Sequence, residues 1–66
     1  MIKAGDIIKA KVIAIGIGNI SVLGCKALKL KEPILINDKL IKGKEYKIII
    51  KQVTGNFILA DLYERT

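Results

Sequence analysis

Fourteen isoleucines in a chain of 66 residues, gathered into short runs that glycine, asparagine and proline interrupt, leave few folds open. A side chain branched at Cβ loses rotamers against the preceding helical turn and packs well on a pleated sheet. Residues 7–15 (IIKAKVIAI) place Ile8, Ala10, Val12 and Ala14 on one face and Ile7, Lys9, Lys11, Ile13 and Ile15 on the other. That period of two predicts a half-buried strand whose outer side is partly coated with lysine. Residues 16–19 (GIGN) then predict a turn that needs positive φ or close backbone approach.

A second strand is expected over residues 20–25, with Gly24 allowing it to bend as small barrels require. Residues 25–32 could open a short helix as readily as prolong a strand. Pro33 restricts Glu32 and leaves little room for helix growth, which favours the strand. Residues 34–36 form a third strand ended by Asn37-Asp38, and residues 39–44 make a basic loop with Gly43 as its turn residue. Residues 45–53 carry the clearest alternation, with Tyr46, Ile48 and Ile50 opposite Lys47, Ile49 and Lys51. Thr54-Gly55-Asn56 turns into a last strand over residues 57–63.

Five short strands with a turn signal every eight to twelve residues predict an all-β fold, a small five-stranded barrel, whose closure removes edges that so many isoleucines would make sticky. Residues 1–66 are read as a single domain, because so short a chain cannot enclose a second core. A domain of this size holds a core worth only about 3–5 kcal/mol unless a metal or disulfide reinforces it. With one cysteine, Cys25, and no histidine, neither is available from within the chain. A reducing, cytoplasmic setting is therefore expected, and neither a signal-peptide apolar region nor a membrane-spanning run is visible.

The same poverty bears on chemistry. The six acids are scattered without a close pair, and Cys25 lacks a histidine to activate it, so neither general acid–base nor nucleophilic catalysis has its groups. No enzyme activity and no cofactor are expected. Gly16-x-Gly18 lacks the third glycine and following helix of a dinucleotide fingerprint and is read as a turn.

Charge is the informative feature. Twelve lysines and arginines against six acids give a formal charge of +6, a surplus that draws polyanions. Residues 1–31 carry six lysines against Asp6 alone, whereas residues 52–66 carry Arg65 against Asp61 and Glu64. Lys9 and Lys11 project from one strand and Lys47 and Lys51 from another, with Lys26, Lys29 and Lys31 close in sequence, and these seven are the candidate phosphate contacts. They form one patch if their strands are neighbours. The bland alternative is that the lysines only solubilise an isoleucine-rich barrel. Lysine is a flexible point charge suited to phosphate rather than to base edges, so weak sequence specificity and strong salt dependence are expected. Of the three aromatics, Tyr46 shares the core face and Tyr63 is read as a capping or edge residue. Phe57, beside Gly55-Asn56, divides evenly between a packed role and a loop that meets RNA.

Residues 42–62 (KGKEYKIIIKQVTGNFILADL) resemble the closing hairpin of the TRAM domain, and Gly5-Asp6-Ile7-Ile8 with Val12 matches its opening strand. TRAM domains are small OB-like barrels, attached to RNA-modifying enzymes or standing alone in archaeal chains. The middle departs from the pattern, and Leu35 stands where the family usually has an aromatic. The resemblance implies a stand-alone OB-like barrel that binds RNA in tRNA or ribosomal contexts, or remodels it. The expected partner is thus RNA, whether tRNA, rRNA or single-stranded RNA, and not a membrane. The rival is a protein-interaction or homo-oligomerisation module, since Ile7, Ile13, Ile15 and Ile49 share faces with the lysines.

Overall fold

The computed structural model describes residues 2–25 and 30–63, and these form a closed five-stranded barrel with no helix among them. The strands are β1 (Ile7–Ile15), β2 (Ser21–Gly24), β3 (Ile34–Ile36), β4 (Glu45–Val53) and β5 (Ile58–Leu62). Around the barrel they run β1-β2-β3-β5-β4, and β4 returns to β1. Every neighbouring pair is antiparallel except β3 and β5. The closed five-stranded barrel is what the spacing of strands and turns predicts, and it is consistent with the OB-like architecture that the resemblance implies.

Alternation accounts for the interior. Ala10 and Val12 of β1, Leu23 of β2, Ile34 and Ile36 of β3, Ile48 and Ile50 of β4, and Ile58 and Ala60 of β5 fill it, with Leu40 from the β3–β4 connection. Tyr46 is half-buried against this core, and its hydroxyl accepts a hydrogen bond from the Ile41 amide at 3.0 Å. The turns follow their glycines. Gly18 and Asn19 close the β1–β2 hairpin at φ 76° and 63°, and Gly43 takes φ 89° in the turn where the Lys44 amide donates to the Ile41 carbonyl. That third-position positive φ is the type II geometry that admits glycine without strain.

Two bulges depart from the simple alternation. In the β1–β2 ladder Val12 pairs with Leu23 and Ala14 with Val22, so Ile13 is an extra residue. The parity flips beyond it, and Ala14, expected inside with Val12, is exposed. In the β4–β5 ladder Ile50 pairs with Ala60 and Gln52 with Leu59, which makes Lys51 the extra residue. Both bulges lie where a small closed sheet must coil sharply. The last strand is shorter than expected, with Phe57 and Tyr63 flanking it. The strand expected through residues 25–32 falls largely on residues 26–29, outside the described residues, and Leu30, Lys31 and Glu32 are not strand.

Ser21 is the polar residue buried in this core, and it fastens the long β3–β4 connection. Its hydroxyl donates to the Asp38 carbonyl at 2.6 Å and accepts from the Leu40 amide at 2.9 Å, which seats Leu40 over the end of the barrel. Ser21→Ala leaves two backbone groups without that partner, and a loss of about 1–3 kcal/mol is expected. A urea titration reads the loss as a lowered midpoint, and faster hydrogen exchange at the Leu40 amide localises it.

Candidate functional site

Strands β2, β3 and β5 contain no lysine, whereas β1 and β4 contain four: Lys9, Lys11, Lys47 and Lys51. Because β1 and β4 are paired, the lysines of the barrel's strands all stand on one wall and all are exposed. The condition for a single patch, that the two strands be neighbours, is met. The register gives three rows across this wall. Lys11 lies opposite Glu45, Lys9 opposite Lys47, and Ile7 opposite Ile49. The middle row continues onto the end of β5, where the Tyr63 amide donates to the Lys47 carbonyl at 2.9 Å and the Lys47 Nζ sits 5.5 Å from the centroid of the Tyr63 ring.

The Lys9–Lys47 pair has an energetic sign. Residues directly opposed across an antiparallel ladder hold their Cβ atoms about 5 Å apart, and like charges there destabilise the sheet. Glu45 is the sole acid in the two strands and stands beside Lys11, one row away from them. Lys9 and Lys47 thus form a like-charged cross-strand pair on an exposed wall.

The remaining candidates are placed differently. Lys51 lies on the same wall, four residues along β4 from Lys47, a separation of roughly 13 Å at the usual strand rise. Lys31 stands outside the wall, in the connection between β2 and β3, where it borders a shallow cleft with Ile13, Gly24, Cys25 and Glu32. Lys26 and Lys29 lie outside the described residues. Phe57 is half-buried in the β4–β5 turn, where Thr54 ties it down: the Thr54 Oγ1 accepts from the Phe57 amide at 3.0 Å and donates to its carbonyl at 2.9 Å. That turn is at the end of the barrel away from the Lys9–Lys47 row. The aromatic at the row is Tyr63, 47% exposed, where the sequence predicts a capping or edge residue. Parity could have found it, since Tyr63 continues the outward series of Leu59 and Asp61 on β5.

Lys44 is not part of the wall. Its Nζ lies 5.3 Å from the Tyr46 ring centroid, over the end of the barrel. Oligonucleotides on OB barrels commonly lie across strands 2 and 3 and between the loops that follow strands 1 and 4. Here β2 and β3 carry no charged side chain, and the hairpin after β1 presents Ile17, 98% exposed. The lysines of the strands stand instead on the wall of β1 and β4. Cys25 is free and half-buried, and no group of three His, Cys, Asp or Glu residues lies together among the described residues. Comparison of the chain with protein-family models, with curated proteins and with solved structures finds no match.

Proposed function

We propose that this barrel is a non-catalytic RNA-binding module that contacts phosphates through the β1–β4 wall with low sequence specificity. The observation that carries the reading is the placement of Lys9, Lys11, Lys47 and Lys51 together, with Lys9 directly opposite Lys47. An anion between those two side chains removes a repulsion as well as forming contacts. The resemblance of residues 42–62 to the closing hairpin of TRAM domains supports RNA as the polyanion. Lysine's single charged group suits a path along phosphates and not the reading of base edges.

Salt dependence tests it. For single strands the slope of log K against log salt is about 0.7 per phosphate neutralised, so four engaged lysines give a slope near −3. Fluorescence anisotropy over a range of salt is expected to return that slope for a mixed-sequence single-stranded RNA and one at least as steep for the largely paired tRNA. Binding with a slope near zero, or no binding at low salt, would refute the proposal.

A second reading has its own observation. Ile13, Ile15, Ile17 and Ile41 are all exposed large apolar side chains, which favours a surface for self-association. Light scattering separates the two: a monomer that binds RNA supports the lysine wall, and a tight oligomer indifferent to RNA supports the rival.

A further inference from the structure

We infer that the middle row of the β1–β4 wall is a single-strand site, in which Lys9 and Lys47 hold one phosphate and the neighbouring base stacks on Tyr63. The inference rests on the RNA-binding reading above and adds the form of nucleic acid that the wall accepts.

Three observations converge on this row. Lys9 and Lys47 are direct cross-strand partners, a repulsive arrangement that a phosphate oxygen placed between them relieves. Tyr63 adjoins the same row through the hydrogen bond from its amide to the Lys47 carbonyl, which fixes where its backbone stands relative to the two lysines. Tyr63 is 47% exposed, and the Lys47 Nζ lies 5.5 Å from its ring centroid.

That last contact gives the free protein a resting arrangement. A cation over an exposed aromatic face is a weak contact. A phosphate competes for the ammonium with a full charge, so Lys47 can turn from the ring to the phosphate at small cost. The ring face it leaves is then open to a base, and one nucleotide exchanges both partners together. A paired base inside a duplex has no free face for the ring, whereas an unpaired one has. Phe57, the other aromatic considered for stacking, is half-buried at the far end of the wall, so it does not serve the same nucleotide.

The test compares the wild-type chain with Tyr63→Leu and Tyr63→Phe on three probes: a short mixed-sequence single-stranded RNA, an RNA duplex with the same number of phosphates, and inorganic polyphosphate. Stacking contributes about 1–3 kcal/mol per base by substitution, so Tyr63→Leu is expected to weaken single-strand binding about 5- to 140-fold. Binding of duplex and polyphosphate, and the salt slope on every probe, should stay unchanged, and Tyr63→Phe should keep most of the single-strand affinity. Equal affinities of wild type and Tyr63→Leu for the single strand would overturn the inference while leaving the lysine wall standing. Equal losses on all three probes would also overturn it, because they would make Tyr63 a support for Lys47 and not a stacking surface. No binding of any probe by the wild type would remove the RNA-binding reading itself.

Discussion

Ile48→Ala is expected to leave the chain largely unfolded at room temperature, with loss of the β-sheet circular dichroism signal and no cooperative thermal transition. Ile48 is fully buried, and its cross-strand partners are Ile8 on one side and Leu62 on the other, so it touches the core where three strands meet. Truncating a buried isoleucine to alanine costs about 2–5 kcal/mol, since the cavity it leaves refills only in part. A domain of this size has about 3–5 kcal/mol to lose. The comparison variant is Ile17→Ser at the exposed tip of the first hairpin, for which a change within about 0.5 kcal/mol is expected. A folded Ile48→Ala chain with a melting transition near that of the wild type would show that the isoleucine interior is not what holds the barrel together.

The second large effect concerns binding. Replacing Lys9, Lys11, Lys47 and Lys51 together by glutamine is expected to lower affinity for single-stranded RNA by several hundredfold at about 0.1 M salt. Four phosphate contacts at about 0.7 per phosphate make binding at 0.1 M roughly 600-fold tighter than at 1 M, and this is the share that neutralisation removes. Because all four side chains are exposed, and two of them oppose each other across the ladder, the variant should fold at least as well as the wild type. A control with Lys3, Lys31, Lys39 and Lys42 changed to glutamine carries the same net charge and leaves the wall intact. It should bind within a few fold of the wild type, since contacts and not net charge set the counterion term. Equal losses in both variants would mean that RNA responds to overall charge alone, and the wall would lose its special standing.

Much of this barrel is legible in the order of its residues, for local reasons. The bounds of the fourth strand, the placement of Tyr46, Ile48 and Ile50 inward, and the positive φ at Gly18 and Gly43 all follow from neighbour chemistry: alternation sets the face, and glycine sets the turn. What escaped that reading is non-local. Ala14 faces outward because Ile13 is a bulge, and the bulge exists to let β1 coil around β2, a demand that no window of nine residues contains. Ser21 in the run Ile20-Ser21-Val22 gives no sign that it seats the chain seventeen and nineteen positions later.

The candidate site divides along the same line. Exposure of Lys9, Lys11, Lys47 and Lys51 was implicit in the alternation of two strands, because side chains one step from a buried apolar residue must point away from it. That the two strands are neighbours, that Lys9 meets Lys47, and that Tyr63 arrives beside them from the other end of the chain were decided by barrel closure, which pairs β4 with both β1 and β5. The residue sequence by itself determined five strands, their faces away from the bulges, and their surplus of positive charge, since these depend on a side chain and its immediate neighbours. Only the tertiary structure decided which charges stand together, because strand order is the outcome of burying every apolar face at once.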